Sequence, residues 1–182
     1  LLYYITSRTK MVDDDAFRSL RLGVTVLFTS VGIPFTWQGD ELGESREWGK
    51  EENNRKKFPM PYDHLQIERH RNLWNQYRTL GHLRQQRQEL TENKIDFIHE
   101  HADNRLVVYS RGDQIVILAH FSPNEIADYE ISNLPSDGKW IDALTNEEYQ
   151  IENKTLKTTL KGYDGRVLIH QNSPSSNSEQ PQ

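Results

Sequence analysis

Apolar residues in this chain change their spacing once, near Lys94. Ahead of that point Ala16, Phe17, Leu20, Val24, Leu27 and Phe28 recur every three or four residues, and so do Leu73, Trp74, Tyr77, Leu80 and Leu83. Each set lies on one stripe of a helix. The first helix is expected from Asp13 to about Val31 and the second from about Leu65 to Glu89, with Gly81 weakening the latter modestly. Asp13, Asp14 and Asp15 open the first helix, where carboxylates cap free N–H groups and complement the helix dipole. They are not read as a calcium loop, because the spaced oxygen ligands and Gly of such a loop are missing. Gly32 ends that helix and Pro34 prevents its resumption. "IPFTW" then reads as a short strand with Trp37 in the core, and Gly39 to Asp63 as a long loop of a length that is usually functional or disordered.

Beyond Lys94 the pattern is alternation. "DFIHEH", "RLVVYSR", "QIVILAHF", "ADYEI", "KWIDALT", "YQIE", "TLKTTLK" and "RVLIH" are short β-like runs separated by the turn signals "RGDQ", "PNE", "PSDGK" and "GYDG". Eight such runs predict an antiparallel β-sandwich over residues 94–171. The tail, residues 172–182, has no apolar residue and is expected to be disordered.

Composition narrows the partners. The apolar fraction is 35%, the charged fraction 27% and the net charge −5, with both signs interspersed, so no basic stripe offers a footprint for nucleic acid. No apolar run approaches the roughly 20 residues that span a bilayer. Cysteine is absent, which excludes a disulfide framework, a thiol nucleophile and a cysteine zinc site. The compartment stays open, with the cytoplasm preferred over secretion. The sequon Asn153-Lys154-Thr155 matters only if the protein is secreted.

The order of these features resembles a known family. A helix, "GIPFTWQGDELG", "NNRKKFPMPYD", a long helix and a small all-β domain, in that order, resemble the C-terminal part of α-amylase family glycoside hydrolases. Those enzymes place a (β/α)8 barrel before an antiparallel sandwich; their last barrel strand often reads like "GIPxIYYGDE", followed by a loop like "DPxNRRPMPW". The resemblance implies an α/β plus all-β chain: residues 1–93 as the C-terminal segment of a (β/α)8 TIM barrel, then the sandwich. It implies an α-glucan or maltooligosaccharide ligand, the rest of the barrel as partner, and no cofactor.

Asp40 and Glu41 sit where such a barrel opens its active face, after the strand. A glycosidase needs two carboxyl groups facing each other across one bond, about 5–5.5 Å apart for retention. Adjacent residues of an extended chain point to opposite sides, so Asp40 and Glu41 are read as groups that fix an active-face loop, and no catalytic residue is assigned. In the family the nucleophile and general acid come from earlier strands, which would lie before Leu1. Where members carry Asn-His-Asp or Ser-His-Asp, this sequence has Ser7, Arg8 and Thr9, and Thr9 supplies no charge opposite an oxocarbenium-like centre. Glu51 and Arg55 match an acidic residue and an Arg that hydrogen-bond a glucose unit, with Trp48 as a stacking platform.

Two other readings follow from the same residues. A degenerate α-amylase-like protein would bind glucan or protein without catalysis, as Arg8 and Thr9 suggest. "GDELGESREW" is also faintly similar to a segment of glucan-branching transferases. His99 and His101 share one strand face, but no third ligand is identifiable from sequence, so they are read as surface histidines.

Overall fold

The computed structural model describes residues 2–9, 13–44 and 60–171. Two helices, α1 (Leu2–Thr9) and α2 (Asp13–Thr29), are followed by a 3₁₀ turn at Asp40–Leu42, a second at Tyr62–Gln66, and helix α3 (Glu68–Gln86). Eight strands follow: β1 (Asp96–His101), β2 (Leu106–Arg111), β3 (Ile115–His120), β4 (Ile126–Ile131), β5 (Gly138–Asp142), β6 (Glu148–Ile151), β7 (Leu156–Leu160) and β8 (Asp164–His170). All eight coincide with runs expected from alternation. Gly32, at φ 102°, stands in the left-handed region just past α2, where a residue without Cβ ends a helix without strain.

The strands form a six-stranded antiparallel sheet of order β1-β2-β3-β8-β5-β6 and a two-stranded sheet of β4 and β7. Ile131, Leu156 and Leu160 of the small sheet close on Val108, Val116, Leu118, Trp140 and Leu168 of the large one, which makes the sandwich interior. Trp140 is fully buried there. The hairpin joining β6 to β7 turns on Asn153 and Lys154, both at positive φ, and this sequon therefore serves as a tight turn.

The opposite face of the large sheet is covered as well. Tyr109, Ile115, Ile117, Val167 and Ile169 pack against Ala16, Phe17, Leu20 and Val24 of α2 and Leu73 and Leu80 of α3. Strand β3 is consequently buried at all six positions, which is why "QIVILAHF" is a nearly continuous apolar run. Each such fully buried aliphatic side chain contributes about 1.5–3 kcal/mol relative to exposure. Helix α2 lies close against β8 at Gly165: a methyl group there would stand 3.1 Å from Thr25 Oγ1 and 3.3 Å from Leu22 Cα.

Two stretches differ from expectation. Residues 33–37, expected as a strand with Trp37 in the core, join neither sheet, and Ile33, Phe35 and Trp37 are 95%, 75% and 52% exposed. The sequence preference is local, whereas a strand exists only with a neighbour to complete its ladder. Ser7 to Thr9 lie in the last turn of α1, so the stretch compared with Ser-His-Asp is helical.

Candidate functional site

The Asp40–Leu42 turn is built by its flanking glycines and held by α3. Trp37 O accepts from Asp40 N–H, Gly39 O from Leu42 N–H and Asp40 O from Gly43 N–H, at 3.0–3.1 Å. Gly43, at φ 65°, has no room for a side chain: a Cβ would stand 3.0 Å from His70 Nδ1 and 3.1 Å from Phe17 Cε1. His70 is buried on α3 and donates from Nδ1 to Leu42 O at 2.7 Å, the carbonyl being able only to accept. Burial holds the His70 imidazole below the ordinary histidine range, against the Leu42 hydrogen bond, which favours the proton; His64 and Arg69 add to the lowering.

Both carboxylates of this turn fold back on the chain. Asp40 Oδ2 accepts from Trp37 N–H at 3.2 Å and Glu41 Oε2 from Gly39 N–H at 2.9 Å. Seven residues beyond His70, on the same side of α3, Tyr77 is half-buried with its ring edge-on to Phe28. Its phenol is pushed well above the ordinary tyrosine range, by burial first and then by Asp40 and Glu41. The two carboxylates are thus engaged by N–H groups of their own turn, and the Tyr77 phenol keeps its proton.

Two arginines fix where the Gly32–Trp37 segment begins. Arg84 of α3 donates to Phe28 O at 2.7 Å, to Ser30 O and to Gly32 O; Arg111 of β2 donates to Thr29 O at 2.5 Å and to Glu92 O at 2.5 Å. The carbonyl end of α2, negative by its dipole, thus faces two guanidinium groups. Burial lowers the proton affinity of both. His70, Arg84 and Arg111 were not singled out from the sequence, and Tyr77 was read only as part of a helical core stripe. The one signal for Arg111 is a cation closing a strand run whose centre, Leu106 to Tyr109, is apolar and aromatic.

A cleft of about 450 Å³ opens elsewhere, between α2, α3 and the turns after β5 and β7. Part of its polar lining is engaged within the chain. Gln76 donates to Arg21 O and Thr25 Oγ1; Asp142 accepts from Leu144 N–H, Thr145 Oγ1 and Val167 N–H; Arg166 donates to Tyr149, Thr158, Thr159 O and Asp164.

Glu51, Arg55 and Trp48, the expected sugar contacts, lie outside the described residues. Among the described residues no three His, Asp or Glu side chains gather as a metal site, and no helix is long and apolar enough to cross a membrane. His99 and His101 do acquire a common neighbour that the sequence did not reveal, Tyr129 of β4.

Residues 97–177 match the family model described as alpha amylase, C-terminal all-beta domain. Neopullulanase 2 of Thermoactinomyces vulgaris is 30% identical over 151 residues, which cover 81% of this chain and 25% of the relative. The chain thus spans about a quarter of the length of this curated relative. Among solved structures, AmyP in complex with maltose superposes with a TM-score of 0.72 at 15% identity, over 93% of this chain and 38% of that one. Pullulanase from Anoxybacillus sp. LM18-11 complexed with maltotetraose does so with a TM-score of 0.68 at 16% identity, over 92% and 25%. The structural likenesses establish the fold; the sequence matches establish kinship. Residues 97–177 are thus similar to the alpha-amylase C-terminal all-beta domain, and the chain as a whole resembles the C-terminal region of alpha-amylase family proteins.

Proposed function

We propose that this chain is the C-terminal part of an α-glucan-acting glycoside hydrolase, inactive alone, with residues 1–93 closing a (β/α)8 catalytic barrel and residues 94–171 forming the sandwich behind it. The observation that carries the reading is the segment after α2. Ile33, Phe35 and Trp37, at every second position, are exposed to 95%, 75% and 52%, and a soluble protein rarely leaves such a row uncovered. A barrel strand has neighbours on both edges, and the rest of the barrel is the partner that would supply them.

Asp40 and Glu41 keep the loop-fixing role in this reading, since their oxygens hold the N–H groups of their own turn. Kinship with a neopullulanase, and structural neighbours bound to maltose, maltotriose and maltotetraose, support a maltooligosaccharide ligand. Glu51 and Arg55 would contact its hydroxyls, with Trp48 against a ring face.

Incubation of the purified chain with a chromogenic maltooligosaccharide tests the proposal. No turnover is expected, and turnover abolished by Asp40→Asn would overturn the assignment of that carboxylate. In a longer form carrying the rest of the barrel, maltotriose should bind, and Arg55→Ala should weaken it by roughly tenfold or more, the loss of one charged hydrogen bond. Equal calorimetric affinity of that variant and its parent would remove the loop from the binding site.

A further inference from the structure

Strands β1 and β4 each carry an irregularity, and the two converge on one cluster. In β1 the register against β2 shifts between Phe97 and His99. Phe97 pairs with Tyr109, whose ring faces the helices, whereas His99 pairs with Val108 and His101 with Leu106, which face the sandwich interior. In β4 the register against β7 shifts between Ile126 and Tyr129, with Asp128 at φ 51°, a conformation rare for a residue with a side chain. Bulges of this kind re-aim side chains, and left-handed non-glycine residues concentrate at functional positions. Here both irregularities immediately precede residues that meet. Tyr129 Oη stands 3.0 Å from His99 Nε2 and 2.8 Å from His101 Nδ1.

Hydrogen bonding alone does not account well for this arrangement. Tyr129 Oη can accept from His99 Nε2–H and donate to His101 Nδ1, but the Asn104 side-chain amide, at 2.9 Å, approaches that same His101 nitrogen. A single ring nitrogen has one lone pair or one proton, so it cannot satisfy both neighbours fully. A cation would use the three donor atoms together. Tetrahedral zinc, bonded at about 2.0–2.1 Å to nitrogen, requires neighbouring donors about 3.3 Å apart, whereas the right-angled ligands of tetragonal copper(II) at about 2.0 Å stand about 2.8 Å apart, close to these contacts. Imidazole suits both metals, and copper(II) binds such sites more tightly in the general order of divalent affinities.

We propose that His99 Nε2, His101 Nδ1 and Tyr129 Oη form a surface site for a divalent late transition metal, best filled by copper(II), which ties the β1 edge of the large sheet to the small sheet. Binding releases the phenol proton to solvent when Tyr129 ligates as phenolate, and displaces the Asn104 amide. No redox change is involved. The proposal does not depend on the assignment of the chain to glucan hydrolysis.

Titration of the untagged chain with copper(II), followed by calorimetry and electron paramagnetic resonance, tests it. One equivalent should bind with coupling to two nitrogens and with a phenolate-to-copper absorption band. His99→Asn and His101→Asn should each weaken binding by roughly 100-fold, at the upper end of what disturbing a ligand's support costs. Tyr129→Phe should retain two-nitrogen coupling and lose the band, and Asn104→Ala should bind at least as tightly as the parent. His64→Asn, at the other close histidine pair, should change nothing; rings 64 and 70 lie 4.6 Å apart. Copper binding that survives both strand substitutions, or that His64→Asn abolishes, would overturn the site.

Discussion

Arg111 is wholly buried, and among the described residues no carboxylate forms an ion pair with its guanidinium. What stabilises it is a pair of carbonyl oxygens, that of Thr29 at the negative end of α2 and that of Glu92 in the segment before β1. Replacing it by Met keeps much of the volume but leaves both carbonyls short of a donor. Arg111→Met should therefore lower stability by about 2–4 kcal/mol, read from the shift in urea midpoint at constant slope. Lysine should rescue only part of this, because one ammonium does not reproduce a planar fork. His70 gives a pH-dependent counterpart. Burial makes the folded protein take up a proton at His70 less readily than the unfolded chain does, so the unfolded state binds more protons below the ordinary value of 6.5. Its contribution is complete above that value and is lost as pH falls through the lower, folded-state value. Urea midpoints measured from about pH 8 to about pH 5 should decline, and His70→Asn should flatten the decline.

At the scale of elements, the chain's alternation carried nearly all the information about β1–β8, because strands separated by turn residues leave a period that survives in sequence. The same logic misplaced residues 33–37. "IPFTW" has the side chains of a buried strand, yet pairing depends on a second chain segment, and no local pattern encodes which segment that is. The β1 bulge was invisible for a related reason: a register shift of one residue alters which face His99 takes without altering the letters. The carbonyl-capping arginines escaped notice because a cation in a strand run is ordinarily read as exposed. The exposed row at Ile33, Phe35 and Trp37 should drive self-association of the isolated chain. Phe35→Glu is expected to reduce concentration-dependent dimerisation in sedimentation velocity, while leaving the unfolding midpoint within about 0.5 kcal/mol of the parent.

At the scale of the molecule, a boundary near Lys94 is clear in periodicity but does not divide the packing. One apolar cluster runs from Leu2, Ala16 and Phe17 through Leu73 and Leu80 to Ile117 and Val167. Residues 94–171 expressed alone would present Tyr109, Ile115, Ile117, Val167 and Ile169 to water. They should accordingly bind a hydrophobic dye and unfold at lower denaturant than the same strands in the whole chain; an equal midpoint would show that the helices add nothing to the sheet.

Gly165 sets how this shared core transmits geometry. With Leu22 Cα and Thr25 Oγ1 where a side chain would stand, the backbone of α2 rests almost directly on β8. A single added methyl would act as a shim, lifting the middle of the helix while Arg84 and Arg111 still tether its far end. The helix would pivot, and the segment from Gly32 onward would swing with it. The all-β domain is in this sense a bearing surface: its thinnest point determines the angle at which the preceding segment is offered to whatever completes it.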